Sequence, residues 1–216
     1  MARSAVLHSA TGYDLAVWLL TLGRERVFRE QVLRLARLQP GEMVLDIGCG
    51  TGTLAIAAKR QVGRTGTVYG IDASPEMLAR AEQKARKAGV EVVLTNALAQ
   101  LLPFPEAQFD AVLTSVMLHH LPRKARQRCA AEMRRVLRPG GRVLAVDFGS
   151  AVPETKGLLS HFHRHGHIKL PDMMDLLSEA GLNSVGSGAV GFRDLQFVLA
   201  KASTAYNAIA VNGSKQ

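Results

Sequence analysis

The chain has 216 residues, of which 47% are hydrophobic and 21% charged, so the composition favours one globular domain and excludes a disordered chain. Lysine and arginine outnumber the acids by 27 to 18, which gives a net charge of +9. Two cysteines, Cys49 and Cys129, are too few for a disulfide framework or a four-thiolate zinc site. Because no stretch resembles a membrane span or a signal peptide, we expect a cytoplasmic protein.

The positive charge is concentrated in two runs, one from Arg24 to Arg37 and one from Arg123 to Arg142. Both runs have the spacing of helices whose apolar residues lie on a separate face, so we interpret most of this charge as solvated helix surface. Contact with nucleic acid or with an anionic membrane surface is the alternative.

Apolar runs alternate with amphipathic stretches along most of the chain, which predicts a parallel sheet covered by helices. The predicted elements are, in chain order, helices at Tyr13–Leu22 and Val27–Leu38, a strand at Met43–Ile47, a helix at Thr53–Arg60, a strand at Thr67–Asp72, a helix at Pro75–Ala88, strands at Val90–Thr95 and Asp110–Ser115, a helix at Arg123–Leu137, a strand at Arg142–Phe148, a helix at Pro171–Ala180, and strands at Ser184–Val190 and Gln196–Lys201. We expect residues 1–42 to form an N-terminal helical segment, residues 43–202 the sheet domain and residues 203–216 a tail.

A glycine-rich turn follows the first strand, in the run Val44-Leu45-Asp46-Ile47-Gly48-Cys49-Gly50-Thr51-Gly52. Glycine allows a sharp turn and a close approach of ligand to backbone, and the helix that follows offers free N–H groups. Asp72 ends the next strand, where an acid can accept hydrogen bonds from both hydroxyls of a ribose. The order of strand, turn, helix, strand and acid predicts a nucleoside site.

The spacing of this turn, G-x-G-x-G with an acid two positions before it, resembles the first motif of the class I S-adenosylmethionine-dependent methyltransferases. Later landmarks of that family are matched by Asn96-Ala97, by Phe109-Asp110-Ala111-Val112 and by Leu137-Arg138-Pro139-Gly140-Gly141. Tyr13-Asp14, Leu118-His119-His120-Leu121 and Asp147-Phe148-Gly149 look most like the ubiquinone/menaquinone-biosynthesis type. The resemblance implies an α/β fold: a Rossmann-like, seven-stranded, mostly parallel sheet with helices on both faces, its last strand antiparallel, and an N-terminal helical lid.

The same resemblance implies S-adenosylmethionine as cofactor and a small molecule as methyl acceptor. The cofactor-binding residues that it assigns are Asp46, Gly48, Gly50, Gly52, Asp72, Ala73, Asn96, Ala97 and Ser115. Among them, Asp46 would meet the amino group of the cofactor through water, Asp72 the ribose and Asn96 the adenine amino group. The family more often has an aspartate at the Asn96 position, so a residue that only closes the turn after the third strand is the alternative.

Two histidines, His119 and His120, follow the fourth strand and are our catalytic candidates. Ligands of parallel sheets collect at the carboxyl ends of the strands, and an imidazole can take a proton from an acceptor at neutral pH. The histidine-rich run His161–His167 could suggest a metal, but it falls where this family covers the acceptor. We therefore expect a lid or loop there and no metal site.

Three other functions remain open at this stage. A nucleic-acid methyltransferase would agree with the charge, but this chain has Thr114-Ser115-Val116-Met117 where the amino-methylating type has its N-P-P-Y or D-P-P-Y run. A non-catalytic module that binds the cofactor or a protein partner is a second alternative. A nicotinamide dehydrogenase is the third, and the glycine spacing disfavours it. Peripheral membrane contact is expected only if the acceptor is lipophilic.

Overall fold

The computed structural model describes residues 24–149, 167–192 and 194–203. Within these ranges, seven strands form one sheet in the order β3-β2-β1-β4-β5-β7-β6. The strands are β1 (Met43–Ile47), β2 (Thr67–Asp72), β3 (Val93–Asn96), β4 (Phe109–Ser115), β5 (Leu137–Phe148), β6 (Leu182–Ala189) and β7 (Leu195–Ala202). The pairs among β1 to β5 are parallel, and β7 runs antiparallel to both β5 and β6. The predicted α/β sheet with an antiparallel last strand is confirmed.

Helices cover both faces of the sheet. They are α1 (Glu25–Ala36), α2 (Thr53–Val62), α3 (Pro75–Ala88), α4 (Arg123–Val136) and α5 (Leu170–Glu179), with a 3-10 turn at Leu118–His120. One core cluster joins α1 and α2 to the sheet through side chains such as Phe28 and Leu54. The other joins α4 and α5 to the opposite face through Met133 and Met173. None of the helices in the described ranges has both the length and the apolar character needed to cross a bilayer.

The strand order places a switch point between β1 and β4. The chain builds outward from β1 to β3 and then returns to the other side of β1 to form β4. The loops after these two strands therefore diverge to opposite sides, which leaves a crevice at their carboxyl ends where ligands of such sheets bind. The glycine turn and the segment after Ser115 border this crevice.

Several helix ends follow the local signals in the sequence. Ser74 caps α3, its hydroxyl accepting a hydrogen bond from the Met77 N–H at 3.3 Å, and Pro75 is the first helical residue. Gly89 ends the same helix in the left-handed conformation. The predicted bounds of α3, like those of β1 and β2, match the observed bounds.

Five strands differ from their predicted bounds: β4, β6 and β7 by one or two residues at an end, and β3 and β5 by more. β3 begins at Val93 rather than Val90, because its register on β2 starts with the pair Val93 and Tyr69. β5 begins at Leu137 rather than Arg142, because Leu137 pairs with Phe109 before an irregularity restores regular pairing at Arg142. In both cases the neighbouring strand, and not the local sequence, decides where the strand begins.

Arg142 ties the end of α1 to the start of the regular part of β5. Its guanidinium donates to the carbonyls of Ala36 at 2.6 Å and Arg37 at 2.8 Å, and to both carboxylate oxygens of Glu42 at 2.8 and 2.7 Å. The last carbonyls of a helix have no partner within the helix, so Arg142 satisfies two acceptors that would otherwise need water. Helix α1 is thereby attached to the sheet.

Candidate functional site

The glycine turn lies at the carboxyl end of β1 and is held against β2. The N–H groups of Gly48 and Cys49 both donate to the carbonyl of Ile71 at 2.9 Å. Gly48, Gly50 and Gly52 have φ angles of +70°, +53° and +78°, a region that strongly favours glycine. A Cβ at Gly48 would overlap the Met117 side chain. The sequence therefore needs glycine here both for the path of the backbone and for the space beside it.

Asp46 is buried at the end of β1, just before this turn. Its carboxylate accepts a hydrogen bond from the backbone N–H of Ala55, whereas Oδ2 is buried without a partner among the described residues. Burial raises the pKa of Asp46 to about 7, although the charge of Arg29 opposes this rise. A buried carboxylate oxygen with no donor is costly, so this atom fits a ligand that brings a hydrogen-bond donor or a positive charge.

Asp72 lies at the end of β2 and holds the turn from the other side. Its Oδ2 accepts from the Gly50 N–H and its Oδ1 from the Ser74 N–H, both at 2.9 Å, and Ala73 contributes a further backbone N–H. Burial nevertheless leaves the pKa of this carboxyl above its ordinary value. The predicted ribose acceptor therefore also organises the backbone of the glycine turn.

Asn96 and Ala97 complete this side of the site at the end of β3. The side-chain Nδ2 of Asn96 donates to the backbone carbonyl of Asp72 at 2.9 Å, and the Ala97 N–H donates to the same oxygen at 3.2 Å. The structure thus brings the ends of β1, β2 and β3 together through Asp72. With the nitrogen of the Asn96 amide committed to Asp72, its oxygen is the atom suited to accept from an adenine amino group.

Ser115 ends β4 on the other side of the crevice, where it is 7% exposed. The next residue, Val116, has a φ of +56°, which is strained for a β-branched side chain. This conformation turns the chain directly after the strand and places the Met117 side chain over Gly48. The β4 segment and the glycine turn therefore lie in contact.

The histidine pair follows this turn, and its two members have different environments. His119 is buried, and its Nδ1 lies 2.6 Å from Oδ1 of Asp147, which is completely buried at the end of β5. The His119 backbone N–H donates to the other carboxylate oxygen at 3.1 Å. His120 is exposed, with its ring centroid 3.9 Å from that of His119. Of the two predicted catalytic residues, His119 is held by a buried carboxylate.

Two residues of this region were not assigned a role by the sequence analysis. Asp147 is an acid at the end of a strand whose preceding residues are apolar, and Arg29 is a cation on the buried face of α1 beside Phe28. In each case the available signal was a charged residue on an otherwise apolar face. Spacing could not reveal their partners, because His119 and Ser115 are distant in sequence.

Three predicted features lie wholly or mostly outside the described residues. They are the helix Tyr13–Leu22, the histidine-rich run, of which only His167 is described, and the tail at residues 203–216, of which only Ser203 is described. The lid therefore stays a prediction. Among the described residues, no cluster of three or more potential ligands could hold a metal ion.

The chain is similar to known methyltransferases in both sequence and structure. Residues 44–141 match a family model described as a methyltransferase domain. Over 146 residues, or 67% of this chain, it is 39% identical to the ubiquinone/menaquinone biosynthesis C-methyltransferase UbiE of Ralstonia pickettii strain 12J. The chain covers 59% of the length of that relative.

Two solved structures have a closely similar fold. A SAM-dependent methyltransferase from Aquifex aeolicus superposes with a TM-score of 0.72 at 23% identity, over 89% of this chain and 96% of that one. The [4+2]-cyclase SpnF superposes with a TM-score of 0.70 at 19% identity, over 82% of this chain and 80% of that one. Because two proteins described by different activities share the fold, the fold alone does not specify the reaction.

Proposed function

Because the chain belongs to the class I S-adenosylmethionine-dependent methyltransferases, we propose that it transfers a methyl group from this cofactor to a small-molecule acceptor. The observation that carries the proposal is the construction of one site at the ends of four adjacent strands, β2, β1, β4 and β5. The glycine turn, Asp46 and Asp72 form its cofactor side. The His119–Asp147 pair forms its reactive side.

The residues present fit the cofactor. The buried Oδ2 of Asp46, which has no donor among the described residues, suits the ammonium group of an amino acid. Asp72 and Asn96 suit a ribose and an adenine, and the turn at Gly48 has no Cβ to obstruct a ligand. When bound, the cofactor supplies a methyl group on a positively charged sulfur, which is both the electrophile and its own leaving group.

The protein contributes alignment and a base. The hydrogen bond to Asp147 favours the His119 tautomer with its proton on Nδ1, so Nε2 is the nitrogen that accepts a proton. As the acceptor takes the methyl group, His119 would remove the acceptor's proton, and the carboxylate of Asp147 would stabilise the resulting imidazolium. S-adenosylhomocysteine would be the demethylated product. A base in this position contributes about 10² to 10⁴ in rate.

A hydroquinone is the first acceptor class to test, because the curated relative is described as acting in ubiquinone and menaquinone biosynthesis. Labelled S-adenosylmethionine would be incubated with benzoquinols and naphthoquinols, and with other phenols, thiols and amines. We expect transfer of label to one of these classes. Binding of S-adenosylhomocysteine without transfer to any acceptor would instead favour the non-catalytic alternative.

The roles of the two histidines are tested with His119→Ala, His120→Ala and Asp147→Asn on the acceptor so identified. We expect the first and third changes to lower kcat by about 10² or more while cofactor binding persists, because they remove the base or its correct tautomer. Glu82→Gln, an exposed site on α3, is the control. If His120→Ala lowers kcat more than His119→Ala does, the base is His120.

A further inference from the structure

Arg29 is a buried arginine whose hydrogen-bonding capacity is poorly used. It is 9% exposed, and its Nε is buried without a partner among the described residues. A guanidinium carries five N–H donors and cannot give up its charge, so burying it is costly unless acceptors, and above all an anion, face it. This pattern indicates that the Arg29 guanidinium lacks a closely paired anion among the described residues.

The contacts that Arg29 does make are weak. Its Nη1 lies 3.4 Å from the hydroxyl of Ser115. Its Nη2 lies 3.6 Å from a carboxylate oxygen of Glu25, which is too long for a hydrogen bond. The guanidinium carbon also lies 5.0 Å from the centre of the Phe28 ring. None of these contacts is the paired, planar arrangement that an arginine forms with a carboxylate.

Arg142 is an arginine of similar burial in the same protein, and its guanidinium is well hydrogen-bonded. Its side chain is 13% exposed, close to the 11% of Arg29. It nevertheless donates to two helix carbonyls and to both oxygens of Glu42, all within 2.8 Å. Burial alone therefore does not explain the poor bonding of Arg29.

The position of Arg29 indicates the chemistry of the missing partner. Ser115 places the guanidinium at the end of β4, beside the crevice next to β1. Asp46 lies at the end of β1, close enough for its pKa to respond to the charge of Arg29, and one of its oxygens is also without a donor. A buried cation and a buried carboxylate with unused hydrogen-bonding capacity thus border one crevice. An α-amino acid group, with its carboxylate and its ammonium, complements both.

We propose that Arg29 binds the carboxylate of the amino-acid end of the cofactor, opposite the ammonium subsite at Asp46, and so makes helix α1 part of the binding site. This inference rests on the proposed function, because it takes S-adenosylmethionine as the ligand. It assigns a ligand contact to a helix that precedes the sheet and lies outside the segment matched by the family model, residues 44–141.

The test compares two ligands by calorimetry and needs no methyl acceptor. S-adenosylhomocysteine carries the amino-acid group, whereas 5′-methylthioadenosine keeps the adenosine and the thioether and lacks it. We expect Arg29→Gln to weaken the binding of S-adenosylhomocysteine by about 10-fold to 100-fold and that of 5′-methylthioadenosine by less than about 3-fold. The larger effect reflects the loss of charged hydrogen bonds to a carboxylate in a buried site.

Two further variants complete the experiment. Arg26→Gln removes an arginine from the same helix whose side chain is 91% exposed, and it is expected to change neither affinity. Arg29→Lys keeps the charge but loses the planar fork, so an intermediate loss for S-adenosylhomocysteine is expected. This variant carries the test if Arg29→Gln does not fold.

Two results would contradict the inference about Arg29, and a third would contradict the proposed function itself. If an Arg29 variant weakens both ligands equally, Arg29 only supports the structure, and the inference is wrong. If the affinity for S-adenosylhomocysteine is unchanged, the carboxylate lies elsewhere, and the inference is again wrong. If the wild-type protein binds neither ligand, the proposed function itself fails, and a result with the wild-type protein alone reveals this.

Discussion

Asp46 is deeply buried, yet the proposed ammonium subsite needs its carboxyl group in the ionised form. Burial raises its pKa to about 7, the positive charge of Arg29 lowers it, and the negative charge of Asp72 raises it again. The unbound protein therefore holds a proton on Asp46 below neutral pH, whereas an ammonium ligand requires the ionised form. Below neutral pH, the Asp46 carboxyl group must therefore lose its proton before it can bind an ammonium group.

This competition predicts a pH dependence of binding. The affinity for S-adenosylhomocysteine should rise by up to about tenfold between pH 6 and pH 8 and then level off, because one pKa unit below the midpoint costs a factor of ten. Calorimetry across this range measures it. 5′-Methylthioadenosine, which has no ammonium group, should show little change. A flat profile for both ligands would remove Asp46 from the ammonium subsite.

Asp72 should affect both ligands, in contrast to Arg29. Asp72→Ala removes the predicted ribose acceptor and frees the N–H groups of Gly50 and Ser74 that it holds. We expect binding of S-adenosylhomocysteine and of 5′-methylthioadenosine to weaken by about 1 to 3 kcal/mol, the usual cost of losing a charged hydrogen-bond acceptor. Calorimetry with Glu82→Ala as an exposed control measures this, and unchanged dissociation constants would place the ribose elsewhere.

The shape of the turn between β1 and α2 depends on glycine. Gly48→Ala forces an L side chain to a φ of +70° and drives its Cβ into Met117, whereas Gly89→Ala meets a similar φ of +65° with nothing within 4 Å. We expect Gly89→Ala to lower the free energy of unfolding by about 1 kcal/mol and to leave ligand binding intact.

For Gly48→Ala we expect a larger loss of stability and at least a tenfold loss of affinity for S-adenosylhomocysteine, since the turn must move. Denaturant unfolding and calorimetry on both variants separate the two effects. Equal affinities for the two variants would show that the turn adapts to a Cβ and that the close approach at Met117 is not required.

The boundaries of the elements show how far local patterns reach. The predicted bounds of α3 match the observed bounds, because the helix begins and ends at signals next to it in the sequence: Ser74 and Pro75 at its start and Gly89 at its end. Helix α1 was predicted at Val27–Leu38 and is observed at Glu25–Ala36. It ends where Arg37 adopts the left-handed conformation and Arg142 takes up its last carbonyls, so a distant residue contributes to its end.

At the scale of the whole molecule, we predict a lid over the site, formed by Tyr13–Leu22 and by the segment around His161. The sequence predicts that the helix Tyr13–Leu22 has an apolar stripe of Leu15, Trp18, Leu19 and Leu22, which would need a surface to cover. It also predicts that Gly157 and Gly166 are hinges of the segment around His161. A closed site would keep water away from the charged cofactor.

Hydrogen exchange with and without S-adenosylhomocysteine measures this closure. We predict increased protection in Tyr13–Leu22 and in His161–Leu170 when the ligand is bound. Peptides that cover residues 143–146 of β5, which are buried, are expected to exchange slowly in both states and provide the internal reference. Exchange that is identical in both segments with and without the ligand would contradict the lid and favour static packing.

The sequence by itself determined the parts of the protein that depend on neighbours along the chain. The alternation of strands and helices, the cap of α3 and the glycine turn with its flanking acids Asp46 and Asp72 are all encoded within short segments. These features are local, because backbone conformation, helix capping and the period of apolar residues depend on residues that are close in sequence.

Only the tertiary structure decided which distant residues meet at the site. His119 and Asp147 come together because β4 and β5 are adjacent and parallel. Arg29 reaches Ser115 because α1 packs on one face of the sheet and Ser115 lies at the end of β4, beside the crevice. Strand order and helix docking create these contacts between segments 28 and 86 residues apart. Charge pairing in a buried crevice depends on distance in space, which the local pattern of a sequence does not contain.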